Sequence, residues 1–121
     1  MLTARNRTIA VALASLFLFH APAIAQMDHS KMHGMSPAST AYMDAMAKMD
    51  ADMDAMAMTG KAGADFALMM IPHHQSAIDM AKAYLASGEN DPELTTLSNE
   101  IIAAQEKEIA FLKGWLSKNG Q

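Results

Sequence analysis

An all-α chain, an antiparallel bundle of three main helices behind a flexible N-terminal tail, is what this sequence predicts. Three observations predict it. Alanine and methionine, both good helix formers, dominate long uninterrupted stretches. Capping and breaking residues cut those stretches into three: Thr59-Gly60, Gly88-Glu89-Asn90 and Asn119-Gly120. No stretch alternates with period two, and β-branched residues do not cluster past the first segment, so strands are not expected.

The first 25 residues read as an export address. Arg5 and Arg7 precede an apolar run from Thr8 to Phe19, and Ala23-Ile24-Ala25 supplies a small-x-small site with cleavage expected after Ala25. The run is shorter than the roughly 20 residues that a membrane span needs. The mature chain is therefore expected in a periplasm or outside the cell, with no membrane association after cleavage. Gln26 to Ser39 is poor in large aliphatics and contains Gly34, Ser36 and Pro37, as a mobile tail does. The bundle domain is expected over residues 40–119.

The first helix is expected from about Thr40 to Met58 and the second from about Ala64 to Ser87. The third is expected from Pro92 to about Lys118, with Asp91 as N-cap, Pro92 at the first position and Glu93 in the first turn. Short loops between long helices imply antiparallel neighbours. At 100° per residue, Tyr42, Met46, Met49, Met53 and Met56 share an arc of about 80°. Phe66, Met69, His73, Ala77, Met80 and Tyr84 share another, with Met70 at its edge, and are expected to pack. Leu94, Leu97, Ile101, Leu112, Trp115 and Leu116 share a third, which also holds Gln105 and Glu108. Pro72 lacks an amide hydrogen and is expected to kink the second helix or mark its effective start.

Charge and composition exclude several functions. Both arginines lie in the address and all 13 acids outside it. Seven lysines against 13 acids leave the mature chain at −6 with histidine neutral, so a phosphate backbone is not an expected partner. Without cysteine there is no disulfide framework, zinc–thiolate site or thiol nucleophile.

Of the 13 methionines, only Met1 belongs to the address. The tail segment Met27-Asp28-His29-Ser30-Lys31-Met32-His33-Gly34-Met35 puts five thioether or imidazole groups in nine residues. The first helix carries a methionine stripe and no leucine, and the second places Met69, His73 and Met80 on one face. Thioether sulfur is a neutral, polarisable ligand suited to Cu(I) and, by the same softness, Ag(I), while imidazole accepts Cu(I) or Cu(II). In an oxidising compartment methionine stays available where a thiol would be consumed. Copper is thus the expected ion, with His29, Met32, His33 and Met35 in the tail and Met46, Met49, Met53, Met56, Met69, His73 and Met80 in the helices as candidate ligands. A methionine stripe is equally what an adaptable core looks like, and a lone histidine on an apolar face is often a core residue. Glu108 reads as a partner that holds the His73 tautomer, as a ligand, or as an edge charge.

The block Phe66-x-x-Met69-Met70-Ile71-Pro72-His73-His74-Gln75-x-Ala77-x-x-Met80-Ala81 is followed by Ile101-Ile102-x-x-Gln105-x-x-Glu108-Ile109 and Trp115-Leu116. Together they resemble the bacterial domain-of-unknown-function family numbered 305, over about Thr40 to Ser117. The resemblance implies a ferritin-like helical bundle and an exported copper-binding protein that helps cells tolerate copper. It implies His73, His74, Met69, Met70 and Met80 as ligands, assisted by the first-helix methionines, with Gln105 and Glu108 beside them. Family members often carry methionine where this chain has Leu112, which removes a thioether from the third helix.

The expected function is sequestration or handover of Cu(I) by a protein that is not an enzyme, with a copper-transfer partner and a second copy of the chain as candidate partners. A ferritin-like di-metal oxidase would need several inward carboxylates and Glu-x-x-His pairs, and the chain contains no Glu-x-x-His. A metal-independent interaction module with a methionine-rich partner surface, or a sacrificial sink for oxidants, are the competing readings.

Overall fold

A computed structural model describes residues 34–120. The fold follows from three helices: α1 (Pro37–Asp54), α2 (Ala62–Ala86) and α3 (Pro92–Lys118). The described residues contain no strand. The tail ligands His29, Met32 and His33, and the proposed address, lie outside the described residues.

Helix α1 begins three residues earlier than composition suggested. Ser36 is the N-cap, its hydroxyl accepting from the Ser39 amide at 3.0 Å, and Pro37 fills the first turn. Pro37 to Ser39, assigned to the tail, are therefore helical. The helix also ends earlier, at Asp54 rather than Met58. Asp50, Asp52 and Asp54 crowd its last turns, where only Asp52 meets a base, Lys48 at 2.6 Å, and acids at a helix C-terminus oppose the macrodipole. Met56 consequently leaves the helical stripe and sits in the connection.

That connection is stapled by Asp65. Its carboxylate accepts from the Thr59 amide and hydroxyl, both at 2.7 Å, and from the Gly60 amide at 3.1 Å. These bonds hold the Asp65 carboxyl below its ordinary range, the Thr59 hydroxyl contributing most. Gly60 takes a φ of 79°, in the left-handed region open to glycine.

Helix α2 continues unbroken through Pro72, so the proline does not mark a new start. The proline ring is buried, so its packing offsets the one backbone hydrogen bond it removes. Helix α3 has the expected cap: Asp91 accepts from the Leu94 amide at 2.9 Å, with Pro92 and Glu93 in the first turn.

α2 is central. It packs against α3 on one flank and α1 on the other, while α1 and α3 barely meet. The core lies between α2 and α3, where Ala64, Ala67, Leu112 and Leu116 are buried, with Leu68, Met70, Ile71 and Trp115 packed around them. Small residues let the helices approach closely. At Gly63 an added Cβ would come within 3.0 Å of the Trp115 ring.

The burial pattern corrects the expected faces. The buried positions of α2 are Ala64, Ala67, Pro72, His74, Ser76, Ile78 and Ala81, not the arc of Phe66, His73 and Met80. Phe66 is 60% exposed, and His73 and Met80 are exposed as well. A helix with two neighbours buries two flanks, so the arc richest in large apolar residues lies between them. On α3, Leu94 and Leu97 are exposed, while Ile109, absent from the expected face, is buried.

Candidate metal centre

His74 is the one buried histidine among the described residues. It sits on the α2 flank that meets α3, one turn after Met70. Its Nδ1 lies 2.7 Å from the Met70 carbonyl oxygen, and its Nε2 lies 2.5 Å from Oε2 of Glu108 on α3. A carbonyl oxygen only accepts, so Nδ1 carries a hydrogen and the second nitrogen faces the carboxylate through one shared proton. Backbone anchoring of Nδ1 is how proteins commonly aim Nε2 at a metal. Here Glu108 stands at that position, and its side chain is 61% exposed. Glu108 therefore lies at the open edge of the bundle rather than inside an apolar arc, and its partner is His74, not His73.

Met70, His74 and Glu108 line one groove of about 210 Å³ with Phe66, Phe111 and Leu112. The structure thus brings three of the expected groups together and frames them with two phenylalanines. Sequence reading did not single out Phe111, because it falls outside the apolar arc of α3. Its place in the seven-residue series Leu97, Ala104, Phe111 was the available signal.

The other candidates do not line this groove. His73, 100° further round α2 than His74, is exposed, and Met69 is half-buried. The two adjacent histidines therefore do different work: one joins α2 to α3, the other reaches solvent. Met46, Met49 and Met53 are half-buried on α1, Met56 half-buried after it, and Met35 half-buried just before the Ser36 cap. Gln105 is half-buried one turn before Glu108. The ten described methionines share one property: none is fully buried. Among the described residues, no three His, Asp or Glu side chains gather around a common point. A larger cleft of about 500 Å³, between the start of α1 and the end of α2, is lined by small residues such as Ser39, Ala41, Ala83 and Ser87. It contains neither sulfur nor imidazole.

These features define an all-α protein whose soft side chains stay within reach of solvent around a central helix. The chain belongs to the family described as domain of unknown function DUF305, whose model matches residues 7–116. The match starts at Arg7 and so takes in the tail, which the residue blocks alone had left outside the family region. No curated protein matches the chain.

Proposed function

We propose that this protein binds Cu(I), and by the same chemistry Ag(I), through methionine sulfur and histidine nitrogen, holding the ion or handing it on. The observation that carries this reading is the placement of the methionines. A methionine used as core filler is buried. Here the buried apolar positions are Ala45, Ala64, Ala67, Ile78, Ala81, Ile109, Leu112 and Leu116, and no described methionine joins them. A dozen methionines in an otherwise ordinary small chain, none fully buried where described and only Met70 packed at the edge of the α2–α3 core, are better explained as ligands than as packing.

Softness then selects the ion. Neutral thioethers offer little to a hard cation, which would prefer carboxylate oxygen, but polarise well towards a monovalent d¹⁰ ion. His73 is the imidazole most ready to bind, with Met69 and Met80 on the same face of α2. His74 binds only by exchanging its Glu108 contact for the ion, and the Met70 carbonyl keeps its Nε2 aimed meanwhile. Met46, Met49, Met53 and Met56 supply further sulfur from the α1 side. Handover requires that ligands exchange readily, and half-buried methionines with three rotatable bonds do so. The cargo role calls for no catalytic group. Export to a periplasm or beyond, where cysteine would oxidise, fits a copper protein that uses no thiol.

Titration of the protein with Cu(I) against a chromophoric chelator tests the reading. Binding that weakens at least tenfold in the His73→Ala/Met80→Leu double variant is expected. Absence of binding, or binding indifferent to both substitutions, would overturn it.

A further inference from the structure

The open side of α2 carries a heptad stripe. Phe66, His73 and Met80 are spaced by seven and exposed, and Met70, Ala77 and Tyr84 run beside them half-buried. On α3, Leu97, Ala104 and Phe111 repeat the spacing and are exposed too. Residues seven apart stay on one side of a helix over several turns, which is the pattern of a seam that receives another helix. Because α1 and α3 flank α2 without closing over it, the three helices form a layer, and an apolar layer face is stable when a second layer covers it.

The geometry points to a second copy of this chain as that layer, with α2 antiparallel to α2 and the two His73 imidazoles meeting at the twofold axis. Three arguments select this occupant and this register. Phe66, Met80, Leu97 and Phe111 leave 60%, 37%, 49% and 69% of their surfaces exposed, on the order of 400 Å² of apolar area in all. The half-buried second row brings the face towards the roughly 800 Å² per partner of a standard interface. The α2 stripe is also nearly neutral in an acidic chain. Where α2 would meet α2 no carboxylate intervenes: Asp65, Asp79 and Lys82 fall at other phases of α2, Glu108 already contacts His74, and Glu93 and Glu100 lie along the outer α3 row. Finally, His73 is the sole ionisable residue in the α2 stripe. A lone polar residue in an apolar seam fixes register by meeting its own copy, and a twofold axis through His73 sets Phe66 of each copy against Met80 of the other. The two imidazoles then form a site with one nitrogen from each copy. That part rests on the copper reading above, whereas the seam does not.

Sedimentation in chelator-treated buffer at tens of micromolar tests the seam. A dimer is expected, and Phe66→Asp with Phe111→Asp is expected to give a monomer with unchanged helical circular dichroism, since both side chains are largely exposed. In this cysteine-free chain His73→Cys is expected to cross-link under mild oxidation at least tenfold faster than Lys82→Cys, on the opposite side of α2. Half an equivalent of Cu(I) per chain is expected to tighten the wild-type dimer and to leave the His73→Ala dimer unchanged. A monomer with and without copper, a dimer indifferent to the two aspartates, or equal cross-linking at 73 and 82 would overturn the proposal. Chelator competition on the wild-type chain, diluted until it is monomeric, keeps the readings apart: a failed seam leaves copper binding to the single chain intact, and failed copper binding leaves the metal-free dimer intact.

Discussion

The two flanks of α2 are made of different materials. Towards α3 it presents Ala64, Ala67, Leu68, Ile71, a single methionine, Met70, and the His74–Glu108 contact, and the facing Leu112 and Leu116 are buried. On its open side α2 carries Met69 and Met80 beside Phe66 and Tyr84, the large apolar side chains of α1 are mostly methionines, and Ala45 is the single buried residue of α1. Branched and small residues in defined rotamers give a rigid junction. Methionine, unbranched and flexible, gives an adaptable surface whose sulfurs can leave their packing for a ligand. The difference teaches that one side of the bundle holds the fold and the other is free to bind.

The largest expected effect sharpens that contrast. Leu112→Ala should cost about 3 kcal/mol in denaturant unfolding, because it opens a cavity in the rigid junction. Met49→Leu on α1 should change stability by less than about 1.5 kcal/mol, being nearly volume-conserving. Comparable losses at both positions would erase the distinction.

Next comes the ligand's own effect. With free Cu(I) at 100 times its dissociation constant, linkage should add about 2.7 kcal/mol to stability. Amide exchange should be faster in α1 than across the α2–α3 junction without metal, and slow preferentially in α1 on binding. Protection gained mainly at α3 would place the binding on the wrong side.

The histidine pair divides the flanks at single-residue resolution. His74→Ala should cost about 1–3 kcal/mol, since it removes a buried side chain with two polar contacts. His73→Ala should leave metal-free monomer stability unchanged. Glu108→Gln should cost less than about 1 kcal/mol, because the carboxylate is largely solvated.

The smallest effect concerns the staple between α1 and α2. The Asp65 carboxyl is held below its ordinary range, so it contributes stability above that range and loses it as pH falls through the lowered value. Asp65→Asn should therefore weaken the protein slightly at neutral pH and flatten the acid side of its stability profile. Parallel acid profiles for the two proteins would show that the staple carries none of that dependence.

Much of this architecture was legible in the sequence. Asp91, Pro92 and Glu93 announced the start of α3 because caps act locally, through bonds within one turn. Helix number and loop positions followed from Gly60 and Gly88 for the same reason. The packing faces were not legible. Hydrophobicity placed Phe66, His73 and Met80 inward, whereas alanines and His74 occupy the contact, because close helix approach rewards small side chains and α2 serves two neighbours at once. The methionine excess on which the copper proposal draws was visible in composition. Which histidine touches Glu108 was not, since His73 and His74 differ by one residue and their roles depend on where α3 lies. Ser36 was overlooked as a cap because the segment before it reads as a tail.

X-ray absorption at the copper edge, on protein loaded with one equivalent of Cu(I), tests the central claim most directly. The account predicts two or three sulfur neighbours together with at least one imidazole nitrogen. A first shell of oxygen and nitrogen alone would contradict it and return the methionines to ordinary surface packing.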